Sequence, residues 1–324
     1  MTGTNKLAFV DPNTNRAIIK VDNVSTVDFN NKRSTVRIDT QDLYPVGSVW
    51  VADMHHVPFG CSVWPAWWSQ ALKWPDGGEI DTFEGVNLFT QNQMALHTTD
   101  GCNLVSPVQS SDQIQGSNCS VNVNTAGCVV KDPDQKSYGQ PFADAGGGMF
   151  VTEMASSGVS IWFFTREKVP SSLSSNSSTI DTSAFGKPVA NFPSGSCAID
   201  KFFQPQALIF DITLCGDFAR PLYNTSGCPV TRDNSCYLDR VLGPGSGKYD
   251  DAYFDIAFVR VYGSSSGNST NSTNGGNSTN SMNGGNSTNT TGGGTGTSSA
   301  VAVGTPYTAF LFAAIVAALL GLFI

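Results

Sequence analysis

Apolar and polar side chains alternate in short runs along most of residues 17–262, the period-two pattern of strands that lay one face on a core. The runs cover 17–21, 35–39, 48–53, 79–84, 93–98, 149–154, 159–165, 207–213 and 253–262, and they are rich in β-branched and aromatic residues. Turn chemistry separates them, as in Asp11-Pro12-Asn13, Asp76-Gly77-Gly78, Gly146-Gly147-Gly148 and Gly243-Pro244-Gly245. No helical period of comparable length competes with them. The pattern predicts an all-β domain over residues 1–262, built as an antiparallel β-sandwich.

Beyond residue 262 the pattern stops. From Gly263 to Ile324 there is no Asp, Glu, Lys or Arg, so every charged side chain lies in residues 1–262. Residues 263–307 are dominated by Ser, Thr, Asn and Gly, with Gly-Gly-Asn-Ser-Thr-Asn at Gly275 and again at Gly284. Such a stretch cannot bury enough apolar surface to offset the entropy of ordering, so a glycosylated stalk is expected there. Residues 308–324 are almost wholly apolar. Small residues, a spacer and this terminal run match a glycosylphosphatidylinositol-anchor signal. A single C-terminal transmembrane helix is the alternative, although the run falls a little short of the about 20 residues a span takes. Either one tethers the folded part to a membrane at the outer cell surface. The chain opens Met1-Thr2-Gly3-Thr4-Asn5, without the apolar leader that secretion calls for. The expectation is that it starts inside a longer gene, past the leader and a first strand or two.

The segment 79–84 reads Glu79-Ile80-Asp81-Thr82-Phe83-Glu84, three carboxylates on one short strand. Alternation puts Glu79 and Asp81 on one face and Glu84 on the other. One extra residue between Asp81 and Glu84, a β-bulge, returns Glu84 to their side. Two carboxyls flanking one bond are what glycoside hydrolysis uses, one ionised to attack the anomeric carbon and one protonated to release the leaving oxygen. Retention of configuration needs them about 5–5.5 Å apart, a gap that two glutamates leaning together can span. Asp81 is too short for either part. It is read as support for Glu79, a second negative charge that keeps a neighbouring carboxyl protonated.

The residues around this strand carry a resemblance. Trp64-Pro65-Ala66-Trp67, then Trp74-Pro75-x-Gly77-Gly78-Glu79-Ile80-Asp81-x-x-Glu84-Gly85-Val86-Asn87, then Leu96-His97-Thr98 resemble the signature of glycoside hydrolase family 16. Within it they are most similar to the fungal secreted endo-1,3(4)-β-glucanases, or laminarinases. The likeness runs from about Asp39 to Tyr262. It implies a jelly-roll sandwich of concanavalin A-like type, with Glu79 as nucleophile, Asp81 as its helper and Glu84 as general acid/base on the concave sheet. The Glu-x-Asp-x-x-Glu spacing resembles the bulged laminarinases rather than the unbulged lichenases.

Sugar contacts are expected from Trp67 and Trp74, whose indoles can stack on the apolar faces of sugar rings. Trp64 and Trp68 are read as packing. His97 groups by alternation with Gln93 and Ala95 on a polar side, and the Leu-His-Thr match implies a contact near the nucleophile. Asn87 and Arg166 are carried as sugar contacts by the resemblance of Glu-Gly-Val-Asn and Trp-Phe-Phe-x-Arg. Phe218 stands where the family usually has Trp and can still stack, with less area. Met154 also stands where Trp is common, and both departures bear on an outer subsite.

Composition narrows the partner. A formal net charge of -8 disfavours nucleic acid and anionic lipid headgroups, which reward clustered Lys and Arg. A neutral polysaccharide, a β-glucan, fits. No cofactor is called for, and His55 and His56 face apart on a strand and cannot chelate one ion, so no metal is expected. Eight cysteines without a Cys-x-x-Cys spacing suit disulfides of open connectivity. Sequons at Asn23, Asn118, Asn176 and Asn224, and more in the stalk, suit a secreted glycoprotein. A monomer is expected. Three activities follow: a retaining endo-β-glucanase acting on β-1,3 or mixed β-1,3/1,4 glucan, a wall-glucan transglycosylase, or a non-catalytic glucan-binding wall protein. The last has no need of a bulged pair of glutamates.

Overall fold

The computed structural model describes residues 6–263. The strands are β1 (Ala8–Val10), β2 (Ala17–Lys20), β3 (Thr26–Val27), β4 (Arg37–Asp39), β5 (Ser48–His56), β6 (Val63–Gln70), β7 (Glu79–Glu84), β8 (Gln93–His97), β9 (Cys128–Lys131), β10 (Gly148–Ala155), β11 (Gly158–Thr165), β12 (Ala190–Pro193), β13 (Ala207–Leu214), β14 (Gly243–Pro244) and β15 (Tyr253–Tyr262). They form a seven-stranded sheet in the order β1-β2-β15-β5-β10-β11-β12 and a six-stranded sheet in the order β4-β13-β6-β7-β8-β9. A two-stranded ribbon pairs β14 with β3. All the strand pairs are antiparallel, as the alternating pattern predicts.

Aromatic side chains fill the space between the two large sheets. Phe83 of β7 lies 5.2 Å from Phe150 of β10 and 6.1 Å from Phe254 of β15, and Phe210 of β13 lies 5.1 Å from Phe254. These rings are buried, and burying each contributes roughly 1.5–3 kcal/mol. With the inner face spoken for, β6, β7, β8 and β13 present every other side chain on the outer face of the six-stranded sheet.

The alternating runs each hold a strand of the structure. β6 falls outside them because Trp64, Trp67 and Trp68 are large and apolar on both of its faces, so period two cannot be seen in hydropathy. Pro65 is tolerated within it because the pairing with β7 begins only at Ala66↔Glu84, leaving Pro65 beside β13 alone. β9 and β12 are four residues each, too short to show a period. The stalk and the terminal membrane segment expected after Gly263 lie outside the described residues.

Candidate active site

Two glycines of the carboxylate motif seat β7. Gly78 has a φ of 73°, and a Cβ there would lie 2.5 Å from the Phe203 ring, so only glycine lets the chain turn into Glu79. At the other end a Cβ on Gly85 would lie 2.7 Å from the ring of Tyr138. Between them the ladder slips. Asp81 pairs with Ala95 and Glu84 with Gln93 on β8, while Asp81 pairs with Trp68 and Phe83 with Trp67 on β6. Thr82 is the extra residue. Its hydroxyl turns inward to Thr152 at 2.5 Å, Phe83 stays in the core, and Glu84 returns to the outer face with Glu79 and Asp81.

Each carboxyl has its own surroundings. Glu79 accepts a hydrogen bond from the indole N–H of Trp74. Glu84 accepts from Trp64 Nε1 at 2.6 Å on one oxygen and from Gln93 Nε2 at 2.9 Å on the other. Asp81 is the deepest, 4% exposed, with His97 Nε2 3.0 Å from its Oδ2 and 3.9 Å from Glu79 Oε1. Burial, then the charge of Asp81, pushes the Glu79 carboxyl up to about 8. Burial, then the charge of Glu84, pushes Asp81 well above the ordinary carboxylate range. Burial also raises Glu84, against the pull of Gln93 and Trp64. Asp81 thus stands beside Glu79 as the most buried of the three carboxyls, with His97 against it.

A fourth acid joins them from β13. Asp211 accepts from Trp68 Nε1 at 2.7 Å, and burial pushes its carboxyl up to about 6. The Arg37 guanidinium of β4 lies over the Trp68 ring, 4.8 Å from its centroid. Beside Glu84 the surface dips into a depression lined by Phe89, Gln91, Gln93, Lys131 and Phe218. The Phe218 ring meets Trp64 edge-on at 5.6 Å.

A family model described as the XgeA-like catalytic domain of glycoside hydrolase family 16 matches residues 2–262. The chain belongs to glycoside hydrolase family 16. A probable glycosidase of Schizosaccharomyces pombe is 37% identical over 263 residues, 79% of this chain and 60% of that protein. The endo-1,3(4)-β-glucanase XgeA of Emericella nidulans is 36% identical over 247 residues, 75% of this chain and 38% of its own length. The chain thus spans less than two thirds of these relatives. Laminarinase 16A of Phanerochaete chrysosporium, solved with β-glucans in donor and acceptor sites, superposes with a TM-score of 0.74 at 36% identity, covering 79% of this chain and 86% of that one. A family 16 elongating β-1,3-glucosyltransferase superposes with a TM-score of 0.72, also at 36% identity, covering 78% and 84%.

For this family 16 member, three of the residues read as substrate contacts, Trp67, Asn87 and Arg166, stand elsewhere or differently. Trp67 is 1% exposed and stacks on Phe210 at 4.2 Å, so it belongs to the core. Trp64 and Trp68, read as packing, are the ones that reach the acids. Alternation along β6 separates them, since Trp64 and Trp68 share a face and Trp67 takes the other. Asn87 is fully buried, with a φ of 54°; its Oδ1 accepts from Ser62 N–H at 2.8 Å and its Nδ2 donates to the Ala219 carbonyl at 2.8 Å. It ties loops together and offers no sugar a free group. Arg166 donates to Asp53 at 2.6 Å and to the Met54 carbonyl at 2.9 Å, both on β5 of the opposite sheet. Met154 is buried in the core. Trp74, His97 and Phe218 do stand by the acids, and Trp74 is half exposed.

Glu79, Asp81 and His97 each offer a donor atom within 4.8 Å of the others, a set a divalent cation could take among the described residues.

Proposed function

We propose that the protein is a retaining endo-β-glucanase acting on β-1,3 or mixed β-1,3/1,4 glucan. The observation that carries this reading is the bulge at Thr82, which sets Glu79 and Glu84 on one face in different surroundings. The reactive form of Glu79 is the ionised one, which the neighbouring His97 and the Trp74 N–H favour against burial and the charge of Asp81. Glu79 then attacks the anomeric carbon while Glu84, kept protonated by burial, gives its proton to the leaving oxygen. A covalent glycosyl-enzyme forms. Glu84, now ionised, takes a proton from water, which displaces Glu79 and restores the starting configuration.

Trp74 beside Glu79 and Phe218 beside Glu84 provide ring faces on either side of the cleaved bond. The β-glucans bound in the donor and acceptor sites of the Phanerochaete laminarinase support a glucan as the substrate. Attachment at the cell surface rests on the composition of residues 263–324 and on the disulfides. In the complete protein, Glu79→Gln is expected to cut reducing-sugar release from laminarin by about 10³-fold or more, and undiminished release would falsify the assignment.

Transfer to a second glucan is the other reading, favoured by the equally similar elongating glucosyltransferase and by the depression beside Glu84 where an acceptor sugar can rest. Sizing the products of a defined laminarioligosaccharide decides between them. Chains longer than the one supplied mean transfer, and only shorter ones mean hydrolysis.

A further inference from the structure

A bulge leaves backbone groups without their ladder partners, and a buried one must find substitutes. Here the freed groups are the carbonyl of Thr82 and the N–H of Glu84, in the interval where the β7–β8 pairing slips from Asp81↔Ala95 to Glu84↔Gln93. One side chain serves both. Asn92, fully buried just before β8, accepts from Glu84 N–H through Oδ1 at 2.8 Å and donates to the Thr82 carbonyl through Nδ2 at 3.0 Å. A primary amide carries a donor and an acceptor side by side in this way; an ionised carboxylate could accept and not donate.

Asn92 is itself held. Its own N–H donates to Ser137 Oγ at 2.9 Å, and its carbonyl accepts from Asp132 N–H at 2.9 Å. Ser137 Oγ in turn donates to the Asp134 carbonyl at 2.7 Å. The amide therefore sits in a fixed frame, and the peptide it grips is the one from which the Glu84 side chain departs. Trp64 and Gln93 then fix the far end of that side chain.

We infer that Asn92 is a positioning residue for Glu84: it touches no substrate, and it sets the backbone of the bulge so that the Glu84 carboxyl meets the leaving oxygen. This rests on the reading of Glu84 as the general acid. Misplacing a catalytic group by about 1 Å can cost on the order of 10²-fold in rate. In kcat/KM, which reports the reaction only up to the glycosyl-enzyme, the loss falls on proton donation to the leaving group, and that makes it separable from a general loss of structure.

The test compares kcat/KM on two substrates for the complete protein and for Asn92→Ala. Laminarin has a sugar leaving group that needs the proton, whereas a 2,4-dinitrophenyl β-laminaribioside has a leaving group that needs none. A drop of about 50-fold or more on laminarin with less than about 5-fold on the aryl substrate is expected. Equal losses on both, or no loss on laminarin, would overturn the inference. Should Asn92→Ala not fold, Asn92→Ser keeps a single short hydroxyl in place of the two polar ends of the amide, and the same split is expected in smaller degree; an unchanged ratio overturns the inference there too. Glu84→Gln is run alongside. If it shows no such split, the reading of Glu84 has failed; if it does and the Asn92 variants do not, only the role of Asn92 has failed.

Discussion

Trp67 and Trp74 stand in one motif and meet opposite fates. Trp67 is sealed against Phe210 between the sheets, whereas Trp74 is 49% exposed and spends its N–H on Glu79. Replacing a buried Trp by Ala leaves a cavity, so Trp67→Ala is expected to lower unfolding free energy by about 3–5 kcal/mol. Trp74→Ala is expected to leave the melting temperature nearly unchanged while lowering kcat/KM on laminarin by about 10- to 100-fold, since it removes a hydrogen bond to a charged group. Denaturant titration and steady-state kinetics on the pair check both, and equal effects on stability would contradict the placement. Residue type alone could not make this distinction, because an indole suits a core and a sugar face equally. The acids were easier to read, because carboxylates are costly to bury and three in six positions on a strand are hard to explain as packing. Asn92 and Asp211 gave no such signal: an isolated Asn or Asp looks the same in a turn, on a surface or beneath a bulge.

Among the strands, β7 and β8 were legible in outline and β6 was not, yet β6 supplies Trp64 and Trp68 from the centre of the sheet. The loop after β13 depends on covalent bracing. Cys215–Cys236 and Cys61–Cys228 pin residues 215–236 against the start of β6, and the short helix Gly216–Ala219 between them carries Phe218 to Trp64. Cys102–Cys197 and Cys119–Cys128 complete the set, so every cysteine is paired. Closing a long loop restricts the unfolded chain, and removing one such bond typically costs about 2–4 kcal/mol. The double variant Cys61→Ser/Cys228→Ser is expected to lose about that much stability and to raise KM for laminarin more than it lowers kcat, because Phe218 loosens while β7 is untouched. Chemical denaturation with parallel kinetics tests it; a fall in kcat alone would place the effect on the acids instead.

The molecule as a whole carries the cost of its acid cluster. Glu79 is raised to about 8, Asp211 to about 6 and, away from the cluster, Asp132 to about 7, each chiefly by burial. A carboxyl raised on folding keeps a proton that the unfolded chain gives up, so its favourable contribution is full below the unfolded value near 4 and is lost as pH rises through the folded value. Melting temperature is therefore expected to decline between about pH 5 and pH 8. Glu79→Gln removes the Glu79 part of this dependence: it should match the parent near pH 4 and melt above it at pH 8, and scanning calorimetry across that range shows whether the curves diverge as stated. Period-two alternation, the spacing of the three acids and the abrupt loss of charge after residue 262 are properties of neighbours along the chain, and they were enough to indicate a sandwich with an acidic strand. Which tryptophan faces the acids, which cysteines meet, what holds the bulge and how deep each carboxyl lies are set by what stands across from each residue. Those partners come from strands far apart in sequence, as when β13 lies beside β6, so only the folded chain brings them into contact.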